Sequence, residues 1–294
     1  MISNAAKRLR ELMQSEPLVW APGVYDGYST RIANAVGFPA LYMSGAGTTG
    51  SRLGLPDLAL ITLSEMVENA RNIAGVSDVP VIADADTGFG GPANVARTVH
   101  LFEQAGVAAI HIEDQTFPKR CGHLEGKEVA SVEDFVQRIG AATRERYDPD
   151  FVIIARTDAR AVNGFDDAMT RIDHAFDAGA DVGFFEAPES LDEIKRIIER
   201  APGPMLLNIA ANGRTPNLRV NEVRELGFKL AIWPGALSRA AIVAMKRAAT
   251  AFKETGSDLE FSGGLSPRDV FEILGLAEVM AIDARAGGEA LSSA

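Results

Sequence analysis

The chain is short of cysteine and histidine. One cysteine among 294 residues, Cys121, cannot close an intramolecular disulfide, which points to a reducing compartment. The four histidines, His100, His111, His123 and His174, have no zinc-site spacing between them or with the cysteine, so zinc is a poor candidate. The opening stretch "MISNAAKRLRELMQSEP" lacks the apolar core of a secretory signal and reads instead as an amphipathic helix. A cytoplasmic protein is expected, or one of the mitochondrial matrix if a transit peptide has been removed. No apolar run approaches the ~18 residues that a membrane span needs. Basic excess is missing as well: 29 Lys and Arg face 40 Asp and Glu, a net charge of −11, which argues against nucleic acid as a partner. Small anionic substrates remain compatible, because a few local arginines can outweigh the global balance.

What the chain has is apolar residues, 47% of the total, arranged in short repeated runs. Strands are predicted at 18–23, 40–45, 80–86, 108–114, 151–157, 182–187, 205–210 and 230–234. They are rich in Val, Ile, Leu and Phe, as strands covered on both faces are. Helical segments lie between them, among them 63–74, 92–105, 131–146, 166–178 and 190–200, with Gly106, Gly179 and Gly227 as stop signals. Eight strand–helix units in this length fit a (β/α)8 barrel better than an open sheet. No linker or low-complexity tract divides the chain. The reading is one barrel domain over 1–294, with 240–294 as a C-terminal helical extension turning at "SGGLSP" (262–267).

A barrel should gather its chemistry at the C-terminal ends of its strands. Ser44, Asp84, Asp86, Glu113, Asp114, Arg156, Asp158, Glu186 and Asn208 all fall there. Helix caps explain one or two such residues; the same pattern on nearly every strand points to a site. In "DADTGFGG" (84–91) strand alternation places Asp84 and Asp86 on one face. Two close carboxylates repel unless a cation or proton lies between them. With Glu113 on the next strand and Asp57 in "LGLPD" (53–57), the oxygen-only set suits Mg2+ or Mn2+ better than a cluster of capping aspartates. "GAGTTG" (45–50) matches a dinucleotide fingerprint, but Gly54 and Pro56 predict a loop where that motif requires a helix. The backbone N–H groups of Ser44, Gly45 and Ala46 are expected to hold a carboxylate instead. A Schiff-base lysine is discounted, since Lys229 precedes its strand. Arg156, Arg239 and Arg268 are the arginines placed to bind carboxylates, Arg156 best by position. Composition leaves Cys121 open between a reagent tuned by Lys119, Arg120 and His123 and an incidental residue of a basic surface loop. That loop, about 115–130, is long for a strand–helix connection, as lids are.

These motifs together resemble the isocitrate lyase/phosphoenolpyruvate mutase superfamily over nearly the whole chain. "KRCGH" (119–123) follows a strand ending "IEDQ", with "DADTGFGG" one unit earlier and "LGLPD" before that; "YMSGAG", "NVARTV", "DFVIIARTDA" and the "TP" after Asn208 also fit. The resemblance implies a (β/α)8 barrel with a terminal helix swapped between subunits, a homotetramer, Mg2+, and α-oxo or α-hydroxy carboxylate substrates. "KRCGH" resembles the gating loop of the carbon–carbon lyase branch. The length, "ARTDA", Arg239 and Arg268 are similar to 2-methylisocitrate lyases, the two arginines matching those that hold a third carboxylate. "APGVYDG" and "DADTGFGGP" also resemble 2-alkylmalate lyases and oxaloacetate hydrolases. Ala159 stands where the hydrolases carry serine, and Ala211 where many relatives carry glutamate.

The resemblance implies a retro-Claisen cleavage. Asp84 and Asp86 would hold Mg2+ directly, and Asp57 and Glu113 through water. Ser44, Gly45, Ala46 and Arg156 would bind the 2-hydroxy acid end, with Gly122 of the loop also at the substrate. Tyr42 is the candidate base for the hydroxyl proton. Arg239, Arg268, Asn208 and His123 would stabilise the carbanion, Cys121, flanked by Lys119 and Arg120, would protonate it, and Glu186 would orient substrate or loop groups.

Overall fold

The computed structural model describes residues 4–122 and 125–292. It shows a closed barrel of eight parallel strands in consecutive order, with helices between them: a (β/α)8 or TIM barrel. The strands are β1 Val19–Val24, β2 Leu41–Met43, β3 Val81–Asp84, β4 Ala109–Glu113, β5 Val152–Thr157, β6 Val182–Phe185, β7 Met205–Asn208 and β8 Leu230–Trp233. The helices are α1 Ala5–Ser15, α2 Gly27–Val36, α3 Gly45–Leu53, α4 Leu63–Val76, α5 Pro92–Ala105, α6 Val132–Glu145, α7 Phe165–Asp177, α8 Leu191–Arg200, α9 Val220–Leu226, α10 Ala236–Thr255, α11 Pro267–Ile273 and α12 Leu276–Ser292. No helix among the described residues is long and apolar enough to cross a membrane.

Apolar side chains on both faces of each strand separate into distinct cores. Val19, Ile82, Ile154, Phe184, Leu206 and Ile232 fill the barrel interior. The buried Leu9 of α1 joins that interior cluster, so the N-terminal helix plugs the barrel. Filling such a site contributes about 1.5–3 kcal/mol per large apolar side chain. The outer faces pack against the helices, as Phe102 and Phe135 do on one side and Ile172 and Ile197 on another. Gly106 and Gly227 cap α5 and α9 with φ of 89° and 91°, which a side chain would resist.

The chain forms two compact units, Met1–Ser238 and Arg239–Ala294. The second contains most of α10 together with α11 and α12. Ser266 and Asp269 form a capping box at the start of α11.

Two local expectations fail. The "GAGTTG" segment opens a helix, α3, with Ser44 as N-cap accepting from Gly47 N–H at 3.1 Å. Gly54 is the C-cap of that helix, at φ 65°, rather than part of a loop. The dinucleotide fingerprint still does not apply, because it belongs to an open sheet and this sheet is closed. Strand alternation also does not pair Asp84 with Asp86. β3 ends at Asp84, and Asp86 lies beyond it at φ 47°. Asp84 Oδ1 accepts the Asp86 N–H at 2.9 Å, a side-chain turn that brings the two carboxyl groups together.

Candidate active site

The strand ends converge on a buried polar cluster. Asp84, Asp86, His111, Glu113, Arg156, Glu186 and Asn208 are all buried, from five consecutive strands or the turns that follow them. Register places Asp84 beside His111, and Glu113 beside Arg156. The first turn of α3 lies against Asp84. A Cβ at Gly45 would come within 2.3 Å of Asp84 Oδ2, so only glycine lets the helix start approach the carboxylate. Ser44 and Gly45 are themselves buried, and Ala46 is exposed.

Charge, more than shape, defines this cluster. Lys119 reaches in from the loop after β4, its Nζ 2.5 Å from Asp57 Oδ1 and 2.7 Å from Asp86 Oδ1. Burial raises the Asp86 carboxyl to about 7 against the pull of Lys119, with Asp84 and Asp57 adding to the rise. Burial opposes ionisation of Asp84 too, but His111, Lys119 and Arg156 outweigh it and hold that carboxyl below its ordinary range. Glu113 is pushed well up by burial, despite Arg156 Nη1 at 3.3 Å. Among the described residues, the buried Asp86 Oδ1 is met only by the Lys119 ammonium, as an ion pair.

These observations test the site for a metal. The donors are carboxylate oxygens, they carry more negative charge than the neighbouring cations balance, and a cation already bridges Asp57 and Asp86. A hard divalent ion fits that chemistry. Among the described residues no three acidic, histidine or cysteine side chains converge as direct ligands. With Asp84 and Asp86 as direct ligands, the remaining positions would go to water and substrate, as Mg2+ prefers.

Arg156 is the buried organiser of the opposite side. Its Nε donates to Asp158 Oδ2 at 2.9 Å, Nη2 to Asp158 Oδ1 at 3.3 Å, and Glu186 Oε2 lies 3.9 Å away. Asn208 Nδ2 donates to both Glu186 oxygens at 3.3 and 3.2 Å. Glu186 thus lies between Asn208 and Arg156, fixing the amide of one beside the guanidinium of the other.

Tyr42 and His111 form a buried pair beside the carboxylates. Tyr42 Oη lies 2.9 Å from His111 Nε2, and both residues are buried. Burial raises the phenol well above 10, and Asp84 raises it further, so in this setting Tyr42 stays protonated and is a poor base. Burial pushes His111 down to about 4, with Asp84 opposing, so the ring is neutral at pH 7. Its Nδ1 is buried without a hydrogen-bond partner among the described residues. Its Nε2 faces Tyr42 Oη and lies 3.6 Å from Asp84 Oδ1.

The loop after β4 comes down on the cluster. A Cβ at Gly122 would sit 2.4 Å from Glu186 Oε1 and 2.5 Å from Arg156 Nη2. Gln115 Nε2 donates to Glu113 Oε1 at 2.9 Å and to the Arg120 carbonyl at 2.8 Å, and its Oε1 accepts from Arg120 N–H at 3.0 Å. Cys121 is partly buried. Its sequence neighbours do not simply flank the thiol as cations: Lys119 is engaged with Asp57 and Asp86, and Arg120 Nη1 donates to the Glu125 carbonyl at 3.0 Å. His123 lies outside the described residues. Arg239 and Arg268 belong to the second unit, where Arg268 is exposed and paired with Glu272 at 3.3 Å.

Sequence reasoning overlooked Lys127, Gln115 and Arg138. Lys127 Nζ donates to the Gly122 carbonyl at 2.5 Å and to Asp158 Oδ1 at 2.8 Å. Arg138 Nη1 lies within 3.2–3.4 Å of the carbonyls of Thr87, Glu113 and Gln115, at the roots of two loops. It borders a cavity of about 550 Å3 that also touches Asp86 and Lys119. A lysine closing a glycine-containing loop carries no local pattern by which it could be recognised.

A (β/α)8 barrel with carboxylates, a buried arginine and a cysteine-bearing loop at its mouth defines a class of enzyme-like sites. The family is shown by comparison: residues 9–253 match the phosphoenolpyruvate phosphomutase family, and the chain belongs to it, within the isocitrate lyase/phosphoenolpyruvate mutase superfamily. The chain is 47% identical to 2,3-dimethylmalate lyase of Eubacterium barkeri over 85% of its own length and 86% of that protein. It is 46% identical to 2-methylisocitrate lyase of Aeropyrum pernix, over 90% and 84% respectively. A structure of oxaloacetate acetylhydrolase with the inhibitor 3,3-difluorooxalacetate superposes with a TM-score of 0.93 at 42% identity, covering 97% of each chain.

Proposed function

We propose that this protein is a Mg2+-dependent carbon–carbon lyase that cleaves a 2-hydroxy di- or tricarboxylate, with 2-methylisocitrate, split to pyruvate and succinate, as the first substrate to test. Mn2+ would serve the same oxygen set. The observation that supports the reading is the seating of Gly122, the residue next to Cys121, against Arg156 and Glu186. The names of the two relatives support a lyase.

In this reading Asp84 and Asp86 hold the metal directly, with Asp57 and Glu113 reaching it through water. The ion, when bound, supplies Lewis-acid stabilisation of oxygen charge. The N–H groups at the start of α3 and Arg156 bind the carboxylate of the 2-hydroxy acid end. Asn208, His123, Arg239 and Arg268 meet the negative charge left when the C–C bond breaks, and the Cys121 thiol gives that carbon its proton. Tyr42 orients through His111. The loop excludes water that would otherwise compete. A small carboxylate is the only partner this chemistry needs, and assembly into a homotetramer is the oligomeric state to test by light scattering.

A 2-alkylmalate such as 2,3-dimethylmalate is the second reading, favoured by the 47% identity to a lyase of that name. Oxaloacetate hydrolysis ranks below both: Ala159, fully buried, offers no hydroxyl where the hydrolases carry serine. The test is a side-by-side assay of 2-methylisocitrate, isocitrate, 2,3-dimethylmalate and oxaloacetate with added Mg2+. No cleavage of any of them would leave a non-catalytic carboxylate-binding barrel and overturn the proposal. Cys121→Ser should lower turnover by about 10²–10⁴, the range for a lost general acid, while Mg2+ binding persists. Arg239→Ala should harm a tricarboxylate far more than a dicarboxylate; equal effects would count against 2-methylisocitrate.

A further inference from the structure

We infer that Lys127 is the latch of the cysteine loop: its buried ammonium ties the Gly122 carbonyl to Asp158 and so couples closure of the loop to the guanidinium of Arg156. The inference rests on reading the loop as a lid over the site.

Lysine is among the residues least often fully buried. The Lys127 side chain is 2% exposed and the Asp158 side chain fully buried. Burying such a pair adds little to stability compared with apolar residues of the same volume, so stability alone does not account for it. What the pair adds is geometry. Gly122 and Lys127 are five residues apart in the loop, and the single ammonium joins both to Asp158, the residue after β5. The base of the loop is tied separately. Thr116 N–H donates to the Glu128 carbonyl at 2.9 Å, and Ala130 N–H donates to the Asp114 carbonyl at 2.8 Å. Arg171 Nη1 donates to the Ala130 carbonyl at 2.8 Å. The base is therefore held whether or not the Gly122 segment is seated, while the tie from that segment to Asp158 runs through Lys127.

Asp158 makes the connection to substrate. The same carboxylate accepts from Arg156 and from Lys127. A substrate carboxylate that engages Arg156 competes with Asp158 for the guanidinium and leaves more of the Asp158 charge to Lys127. Occupancy of the site thereby strengthens the latch. On opening, the ammonium regains water, which keeps the latch reversible.

The single cysteine supplies a readout that needs no turnover. Cys121 is only partly buried, so iodoacetamide alkylates its thiolate, with loss of iodide, faster the further the loop lifts it into solvent. Lys127→Met keeps the apolar stem and removes the charge. Its alkylation rate should exceed that of the wild type at least tenfold, equivalent to about 1.4 kcal/mol in the closing equilibrium. Lys127→Arg should recover part of the protection, and Lys127→Gln, which can still donate to the Gly122 carbonyl, should fall between. The rate is to be followed against pH. A latch raises the plateau and leaves the inflection in place; a shift of the inflection alone would mean that Lys127 acts on the thiol's ionisation, and would overturn the latch. Wild-type rates in all three folded variants would overturn it as well. Faster alkylation with no cleavage across the substrate panel would keep the latch and reject the lyase reading. Cleavage with unchanged alkylation would do the reverse.

Discussion

Gly122→Ala is the smallest change that should separate the loop from the site beneath it. A Cβ there would lie 2.4 Å from Glu186 Oε1, 2.7 Å from Glu186 Cδ and 2.5 Å from Arg156 Nη2. Contacts so short cannot persist, so either the loop rises or the two side chains move. Side-chain ends often yield cheaply, but these are pinned. Both Glu186 oxygens accept from Asn208. Arg156 is held by Asp158 through two nitrogens and faces Glu113 at 3.3 Å. Displacing either breaks at least one hydrogen bond to a charged group, worth about 1.5–3 kcal/mol. That corresponds to a closed-loop population lower by roughly 10- to 150-fold, at 1.4 kcal/mol per factor of ten.

Because the strain is confined to the closed state, the fold should be spared. The melting temperature should stay near that of the wild type, while kcat/KM falls by one to two orders of magnitude, as estimated from the same bond energies. Cys121 should react faster with iodoacetamide in the variant. Steady-state kinetics, a thermal melt and the alkylation rate together make the assay. Wild-type kcat/KM with an unchanged alkylation rate would refute the reasoning, since Gly122 would then not seat on Arg156 and Glu186 during turnover. A large drop in melting temperature would locate the strain in the folded ground state instead.

Three further outcomes follow from the same network. Chelation should abolish cleavage, and added Mg2+ should restore it; Asp86→Asn should weaken Mg2+ binding by at least about tenfold in titration calorimetry, as expected for a lost direct carboxylate ligand, and unchanged affinity would remove Asp86 from the metal set. Burial opposes ionisation of Asp158, but Arg156 and Lys127 hold its carboxyl at about 2, below the 3.8 of the unfolded chain. A lowered carboxyl contributes stability above pH 3.8 that is lost as pH falls through about 2, here roughly 2 kcal/mol; the stability gap between wild type and Asp158→Asn should therefore narrow from pH 5 toward pH 2, and a constant gap would contradict it. Arg138→Met leaves the Thr87, Glu113 and Gln115 carbonyls without their shared donor and should cost about 2–4 kcal/mol in urea unfolding; a loss below the error of the measurement would show that water replaces the guanidinium.

The sequence made the barrel legible because strand burial on both faces writes itself as apolar runs, and each run found its strand. Helix ends were readable where one residue does one job, as Gly106 and Gly227 do. The reading failed where a residue's role depends on the chain's conformation at a single turn. Gly54 looks the same in sequence whether it breaks a loop or caps a helix, and it caps α3. Asp84 and Asp86 have the spacing of one strand face, yet a side-chain turn at the strand end brings them together. Candidate site residues were legible for a different reason: a polar residue that ends a buried strand has few places to go except the barrel mouth. That argument reaches Asp84, Glu113, Arg156, Glu186 and Asn208, which the rigid sheet positions. It cannot reach Lys127, whose partners Gly122 and Asp158 are chosen by the path of a long loop. Nor could it show that Lys119, expected to tune Cys121, is spent on Asp57 and Asp86. The charges fixed by strands were visible before the fold was known; those carried by the loop acquire meaning only once it is seated, and the loop is where the proposed chemistry is controlled.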